Sequence, residues 1–277
     1  MAQRRRSILF VGALALEGLE PAFASGADLV CIDLEDAVPP DRKDEARAAV
    51  VARLAAVRPP PGVQLIARVN AVPTLEGAAD IAALLDGVPA MGAFMLPKVE
   101  SAEEVRAASR AIEGAKANVE LLAIIESAPG LETAPDIARA DPRLAALVFG
   151  GFDLSTALGC EMAWEPLLYA RSRVVHAAAM ASLQVIDSPY PNVDDLEGLA
   201  ADCARIKALG MTGKAAKHAK QVATIRSAFT PSAAEVARAK LIVERFRADP
   251  TRPLVHEGKL IELPAIKRLE RLASQEP

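Results

Sequence analysis

Cysteine is scarce in this 277-residue chain. Cys31, Cys160 and Cys203 lie far apart, without metal-type spacing. So sparse and odd a set argues against a disulfide framework and suits a reducing compartment, with the thiols packed or at the surface. Aromatic residues make up only 4%, so Ala, Val, Leu and Ile must fill whatever core forms. No apolar run reaches the roughly 18–20 residues of a membrane span. No block of one charge sign appears, and the net charge of −4 argues against an interaction tail or a basic nucleic-acid-binding face. No Gly-x-Gly-x-x-Gly comes after the first apolar run, which weighs against a dinucleotide-binding open sheet, the rival architecture. Internal repeats and low-complexity linkers are also missing.

Apolar residues, by contrast, make up 52%. They fall into short runs: Ser7–Val11, Asp28–Ile32, Gln64–Val69, Gly92–Leu96, Val119–Ile125, Ala145–Phe149, Gln184–Ile186 and a weak one near Met211–Gly213. Between them lie Ala-rich stretches with helical spacing, such as Asp41–Val57, Leu75–Leu85, Ala102–Glu113 and Asp194–Leu209. Ser101 before Glu103 and Glu104 reads as an N-cap, and Asp194-Asp195 opens another helix. About eight strand–helix units predict an α/β protein, a (β/α)8 TIM barrel with extra C-terminal helices. Residues 1–230 are expected to form the barrel. Residues 231–277, with helical stretches at Ser232–Phe246 and Pro264–Ala273, form an extension that serves as lid or oligomer contact. Arg4-Arg5-Arg6 before an apolar run has the outline of a short export signal. Glu17 and Glu20 come directly after it, however, and the run is wanted as the first strand.

The residues just past each apolar run carry the chemistry. The ends read Asp33-Leu34-Glu35-Asp36, Arg68-Val69-Asn70, Pro97-Lys98-Val99-Glu100, Glu126-Ser127, Gly150-Gly151-Phe152-Asp153 and Asp187-Ser188, and the eighth run leads to Lys214. In a parallel barrel these ends converge on one face, where active sites sit. Glu126 and Asp153, with no paired His or Cys, suit a hard cation such as Mg²⁺, and Glu35 and Asp36 could hold its waters. The alternative is a rim of ion pairs with Arg68, Lys98 or Lys214. Arg68 has the planar fork that captures a carboxylate, or it pairs with Glu35 or Asp36. Lys98 binds substrate, or is a Schiff-base lysine. Gly151 allows close approach of a ligand to the backbone. His176, His218 and His256 read as surface or packing residues.

Taken together, Cys31-Ile-Asp-Leu-Glu-Asp-Ala-Val-Pro39, Arg68-Val-Asn70, Leu96-Pro-Lys-Val-Glu100, Ile124-Ile-Glu-Ser127 and Phe149-Gly-Gly-Phe-Asp153 resemble the HpcH/HpaI aldolase and citrate lyase β-subunit-like family. Gly210-Met-Thr-Gly-Lys214 and Ala228-Phe-Thr-Pro-Ser232 are similar to its later motifs. The likeness spans about Ser7 to Leu272. It implies a Mg²⁺ barrel that makes or breaks a carbon–carbon bond, usually as a trimer or hexamer. By the resemblance Glu126 and Asp153 are the metal ligands, Arg68 binds the substrate carboxylate, and Glu35 and Asp36 hold water. Three segments depart. The Pro-Gly and Arg that help seat CoA after strand one are replaced by Val11-Gly-Ala-Leu-Ala-Leu-Glu17. The Ile-His-Pro after strand eight is Ala216-Lys-His-Ala219. A C-terminal Met-Ile-Asp with a catalytic Asp is Leu260-Ile-Glu262, so Glu262 takes that place with a longer side chain.

The reading is therefore a cytoplasmic Mg²⁺-dependent carbon–carbon lyase or aldolase. Its substrate is a short hydroxy- or keto-dicarboxylate, free or as a citryl-, malyl- or citramalyl-CoA thioester. Expected partners are that small molecule and further copies of the chain, with no nucleic acid and no membrane. Glu262 from a neighbouring subunit, Asp36 or a water on the metal would carry the proton. The alternatives are a thioesterase or synthase on the same barrel, or a non-catalytic subunit of a complex.

Overall fold

A computed structural model describes residues 3–249, 254–256 and 258–274. They fall into two compact units, residues 1–226 and 227–277. In the first, the strands are β1 (Ser7–Gly12), β2 (Leu29–Asp33), β3 (Gln64–Arg68), β4 (Ala93–Leu96), β5 (Glu120–Ile125), β6 (Leu144–Phe149), β7 (Gln184–Asp187) and β8 (Gly213–Ala216). Every neighbouring pair is parallel, and β8 returns to β1 through Ile8↔Ala215, closing the barrel. The expected (β/α)8 architecture is thus what forms. The helices between strands are α1 (Leu19–Ala24), α2 (Lys43–Leu54), α3 (Leu75–Gly87), α4 (Ala102–Gly114), α5 (Ala128–Ala138), α6 (Gly151–Leu158), α7 (Trp164–Met180) and α8 (Leu196–Leu209). The boundary between the units falls within α9 (Ala219–Phe229). The second unit holds α10 (Ala233–Ala248), the antiparallel hairpin β9 (Leu254–His256) with β10 (Lys259–Ile261), and α11 (Leu263–Ala273).

Side chains alternate across a strand, and the barrel sorts them by parity. Inside lie Ile8, Leu29, Cys31, Ile66, Ala93, Met95, Leu122, Ile124, Ala146, Val148, Ile186 and Ala215, with Phe10 packed against them. The intervening residues, among them Phe94, Leu65, Ile32 and Leu147, face the helices and are equally buried. Each large aliphatic side chain removed from water this way contributes roughly 1.5–3 kcal/mol, so few aromatics are needed. Two residues beyond the apolar layer, toward the C-terminal mouth, the same parity reaches Asp33, Arg68, Glu126, Gly150, Ser188 and Lys217. It also fixes what the mouth does not contain.

Several local expectations are corrected. β8 begins at Gly213 rather than ending there, so Lys214 lies within the strand. Ser101 occupies the N-cap of α4 but its hydroxyl donates to Glu104 at 3.0 Å instead of capping the helix. Asp195 does cap α8, accepting from Gly198 N at 2.8 Å. The basic N-terminal run belongs to the barrel: Arg6 forks onto Asp28, and Arg5 pairs with Glu120 at the start of β5.

Candidate active site

Asp33 and Arg68 are register partners across β2 and β3, both aimed into the mouth. Arg68 donates to Asp33 through Nε at 2.8 Å and Nη2 at 2.7 Å, a bidentate pair. Its Nη1 lies 3.1 Å from Glu35 and 3.4 Å from Asp36. Burial works against the Arg68 charge, but the Asp33 hydrogen bonds and the three neighbouring carboxylates outweigh it and raise its pKa further. The fork is thus filled largely by the protein's own acids, with Asp33 the main partner. Sequence reasoning missed Asp33, although its register opposite Arg68 was available from the strand ends.

Lys98 comes after β4 with φ +52°, a left-handed conformation unusual for lysine. The turn aims its backbone N–H at Glu126 Oε1, 2.7 Å away, while its ammonium pairs with Glu35 and lies 3.6 Å from Asp36. The Glu35 hydrogen bond raises the Lys98 pKa. An ammonium held charged in this way does not serve as a Schiff-base nucleophile. The β2 loop is fixed from behind. Lys43 Nζ donates to the carbonyls of Leu34 and Glu35 at 2.9 and 2.7 Å, and Asn70 Nδ2 to Leu34 O at 3.1 Å and Asp80 at 2.7 Å.

Glu126 is buried, 4% exposed, and has no cation within ion-pair distance among the described residues. Burial pushes its carboxyl up to about 7, the charges of Asp153 and Glu35 add to this, and the Lys98 N–H and Arg68 oppose it. Gly150 must be glycine here, because a Cβ would lie 2.4 Å from Glu126 Cβ and 2.5 Å from Glu126 Oε2. Asp153, in the first turn of α6, is exposed to the mouth. Gly151 is buried against Met162 and Phe149. Glu35 is raised by burial, against Arg68 and Lys98. Asp36 is lowered: burial opposes its charge, but the Glu35 hydrogen bond and the Arg68 and Lys98 charges prevail.

This set of inward carboxylates keeps the order of the motifs that suggested it. The family model for HpcH/HpaI aldolase/citrate lyase matches residues 6–219. The chain belongs to that family. It is 32% identical over 280 residues to L-malyl-CoA/beta-methylmalyl-CoA lyase of Rhodobacter capsulatus, covering 91% of this chain and 88% of that one. It is 30% identical to citrate lyase subunit beta of Escherichia coli, covering 98% and 93%. Among solved structures, CitE of Mycobacterium tuberculosis in complex with magnesium, acetoacetate and coenzyme A superposes with a TM-score of 0.79. That pair is 29% identical and covers 98% of this chain and 99% of CitE.

Two residues counted toward this family's mouth lie elsewhere. Asp187 and Lys214 have outward parity and are buried between barrel and helices. Lys214 Nζ lies 2.5 Å from Asp187 and 2.7 Å from Asp202 of α8, and Arg171 of α7 donates to Asp187 at 3.3 Å. They bind strands to helices rather than serving the site. Glu262 is exposed, at the N-cap of α11 in the second unit. His176 lies in α7, His218 precedes α9, and His256 ends β9. Cys31 and Cys203 are buried free thiols; burial raises both, Cys203 to about 12. Among the described residues no group of three or more Asp, Glu, His or Cys could hold a metal, and no helix is long and apolar enough to cross a membrane.

Proposed function

We propose that this barrel is a Mg²⁺-dependent carbon–carbon lyase acting on the CoA thioester of a short hydroxy-di- or tricarboxylate, of malyl-, citramalyl- or citryl-CoA type. The observation that carries it is Glu126: a carboxylate without a cation in ion-pair distance, raised chiefly by its burial and further by the charge of Asp153, and aimed into the mouth. Such a pair is incomplete without positive charge. Its donors are hard oxygens, and Mg²⁺ commonly takes only one or two protein carboxylates and keeps its waters. Relatives named malyl-CoA lyase, and a structural neighbour in complex with magnesium, acetoacetate and coenzyme A, support the same reading.

Mg²⁺, when bound by Glu126 and Asp153, supplies a Lewis acid and a template for the substrate oxygens. Arg68 is anchored on Asp33 through Nε and Nη2 and keeps Glu35 and Asp36 in place through Nη1, so a substrate carboxylate that it receives competes with those two acids. Lys98 ties the Glu126 side of the mouth to the Glu35 side through one residue. Breaking the carbon–carbon bond of a hydroxy acid requires a base for the hydroxyl proton. Asp36, lowered and half-exposed, is ionised at neutral pH and fits that role; Glu262 of a neighbouring copy is the other carboxylate to test. Three free thiols suit a reducing compartment such as the cytoplasm.

The experiment is a panel of malyl-, citramalyl- and citryl-CoA, each incubated with the purified chain in Mg²⁺ or in EDTA. The expected result is a split carbon skeleton, a keto acid plus a shorter acyl-CoA, in Mg²⁺ only. Free acid plus CoA would make the protein a thioesterase. Cleavage undiminished by EDTA would sink the metal reading.

A further inference from the structure

The mouth of the barrel is rich in acid. Asp33, Glu35, Asp36, Glu126 and Asp153 face it, against Arg68 and Lys98, whose charges are already engaged by Asp33 and Glu35. A divalent cation would leave negative charge in excess, while each proposed thioester carries the phosphates of CoA, and citryl-CoA a second free carboxylate, beyond the carboxylate at the metal. A further cation at the mouth would favour such a group.

Lys217 has the position for this. It continues the inward parity of β8, two residues past Ala215 of the barrel interior. Its backbone is fixed: Lys217 N donates to Oε1 of fully buried Gln221 at 2.9 Å, and Gln221 Nε2 donates to Tyr190 O in the loop after β7 at 3.2 Å. Its ammonium lies 4.5 Å from the centroid of the Phe152 ring, and Phe152 immediately precedes Asp153. The side chain therefore leans toward the Asp153 side of the mouth. Among the described residues no carboxylate lies within ion-pair distance of it, unlike Arg68, Lys98 and Lys214. The loops after strands seven and eight are also where barrels of this kind often receive anionic groups.

We propose that Lys217 is a specificity-determining residue that binds a second oxyanion of the substrate, at the opposite side of the mouth from Arg68. This rests on the metal-dependent reading of the site. The oxyanion is either the second carboxylate that a citryl-type acid keeps free or a phosphate of the CoA moiety, and the test separates them.

Three probes would be titrated calorimetrically into the full chain with saturating Mg²⁺: pyruvate, oxaloacetate and CoA. Pyruvate has only the keto-acid end, oxaloacetate adds a carboxylate, and CoA adds phosphates. Lys217→Met should leave pyruvate binding unchanged and weaken one other probe about 5- to 10-fold, roughly the loss of one exposed charge-assisted contact. Loss for oxaloacetate identifies the carboxylate, and loss for CoA the phosphate. Lys217→Arg should restore the affected probe to within about twofold, since it keeps the charge. Equal affinities of wild type and Lys217→Met for all three probes would overturn the proposal. If wild type takes up no Mg²⁺ in a titration without organic ligand, the metal reading fails and takes the Lys217 proposal with it; that outcome is visible without any variant.

Discussion

At the scale of single residues, Glu126 sets the chemistry through its environment. Its carboxyl is raised to about 7 from the ordinary carboxylate range, chiefly by burial. The folded metal-free protein therefore holds a proton that the unfolded chain has lost between about pH 4.5 and 7, and stability falls as pH rises through that window. Above pH 7 the full penalty applies, at most about 3 kcal/mol. Glu126→Gln removes it. The metal-free variant should be more stable than metal-free wild type at pH 8, with most of the difference gone at pH 5 and the rest by about pH 4, as read by urea denaturation at the three pH values. A pH-independent difference would contradict the assignment. Lys98 offers a second prediction. Lys98→Gly keeps the N–H to Glu126 and relieves the positive φ, whereas Lys98→Ala keeps the strain, so the glycine variant should be the more stable by about 1 kcal/mol. Both lose the ammonium that holds Glu35, and kcat should fall about 10- to 100-fold, the usual effect of removing support behind a metal site. Most of these residues were legible as charges at strand ends. Asp33 was not singled out because only parity, not proximity in sequence, separates it from Glu35 and Asp36.

At the scale of elements, the strands from β1 to β7 were readable to within a residue or two because continuous apolar runs of Val, Ile and Leu mark strands covered on both faces. β8 was misplaced because Gly213-Lys214-Ala215-Ala216 is hardly apolar; its one long side chain is a buried lysine. That lysine is legible only through its partners, Asp187 on β7 and Asp202 on α8. Lys214→Met should cost about 3 kcal/mol, because it leaves fully buried Asp187 with only Arg171, at 3.3 Å, and part-buried Asp202 without its cation. Thermal unfolding of the variant at neutral pH would test this, and a near-unchanged Tm would show that the pair is dispensable. The helix α6 was also unread, since it begins within the Gly-rich motif itself. The hairpin β9–β10 consists of three-residue strands, too short to leave a periodic signal. In α10 the capping box between Ser232 and Glu235 was half visible, as the Ser that opens the helical stretch. Ser232→Ala should destabilise the C-terminal unit by about 1 kcal/mol, measurable as earlier loss of amide-exchange protection in α10.

At the scale of the whole molecule, closure of the barrel does the work of assembly. Residues from five separate strand ends, spread from Asp33 to Asp153, meet only because the strands run parallel and in order around one ring. Counting strand–helix units was enough to expect that ring. It was not enough to tell mouth from mantle, which is why Asp187 and Lys214 were grouped with residues they never meet at the mouth. The central claim is that the Glu126–Asp153 pair completes itself with Mg²⁺. A calorimetric Mg²⁺ titration of the wild-type chain, Glu126→Gln and Asp153→Asn at pH 8 tests it most directly. The account predicts one Mg²⁺ per chain in wild type, and at least tenfold weaker binding in each variant, since each removes one of only two protein ligands. Equal Mg²⁺ affinity in all three proteins would contradict it.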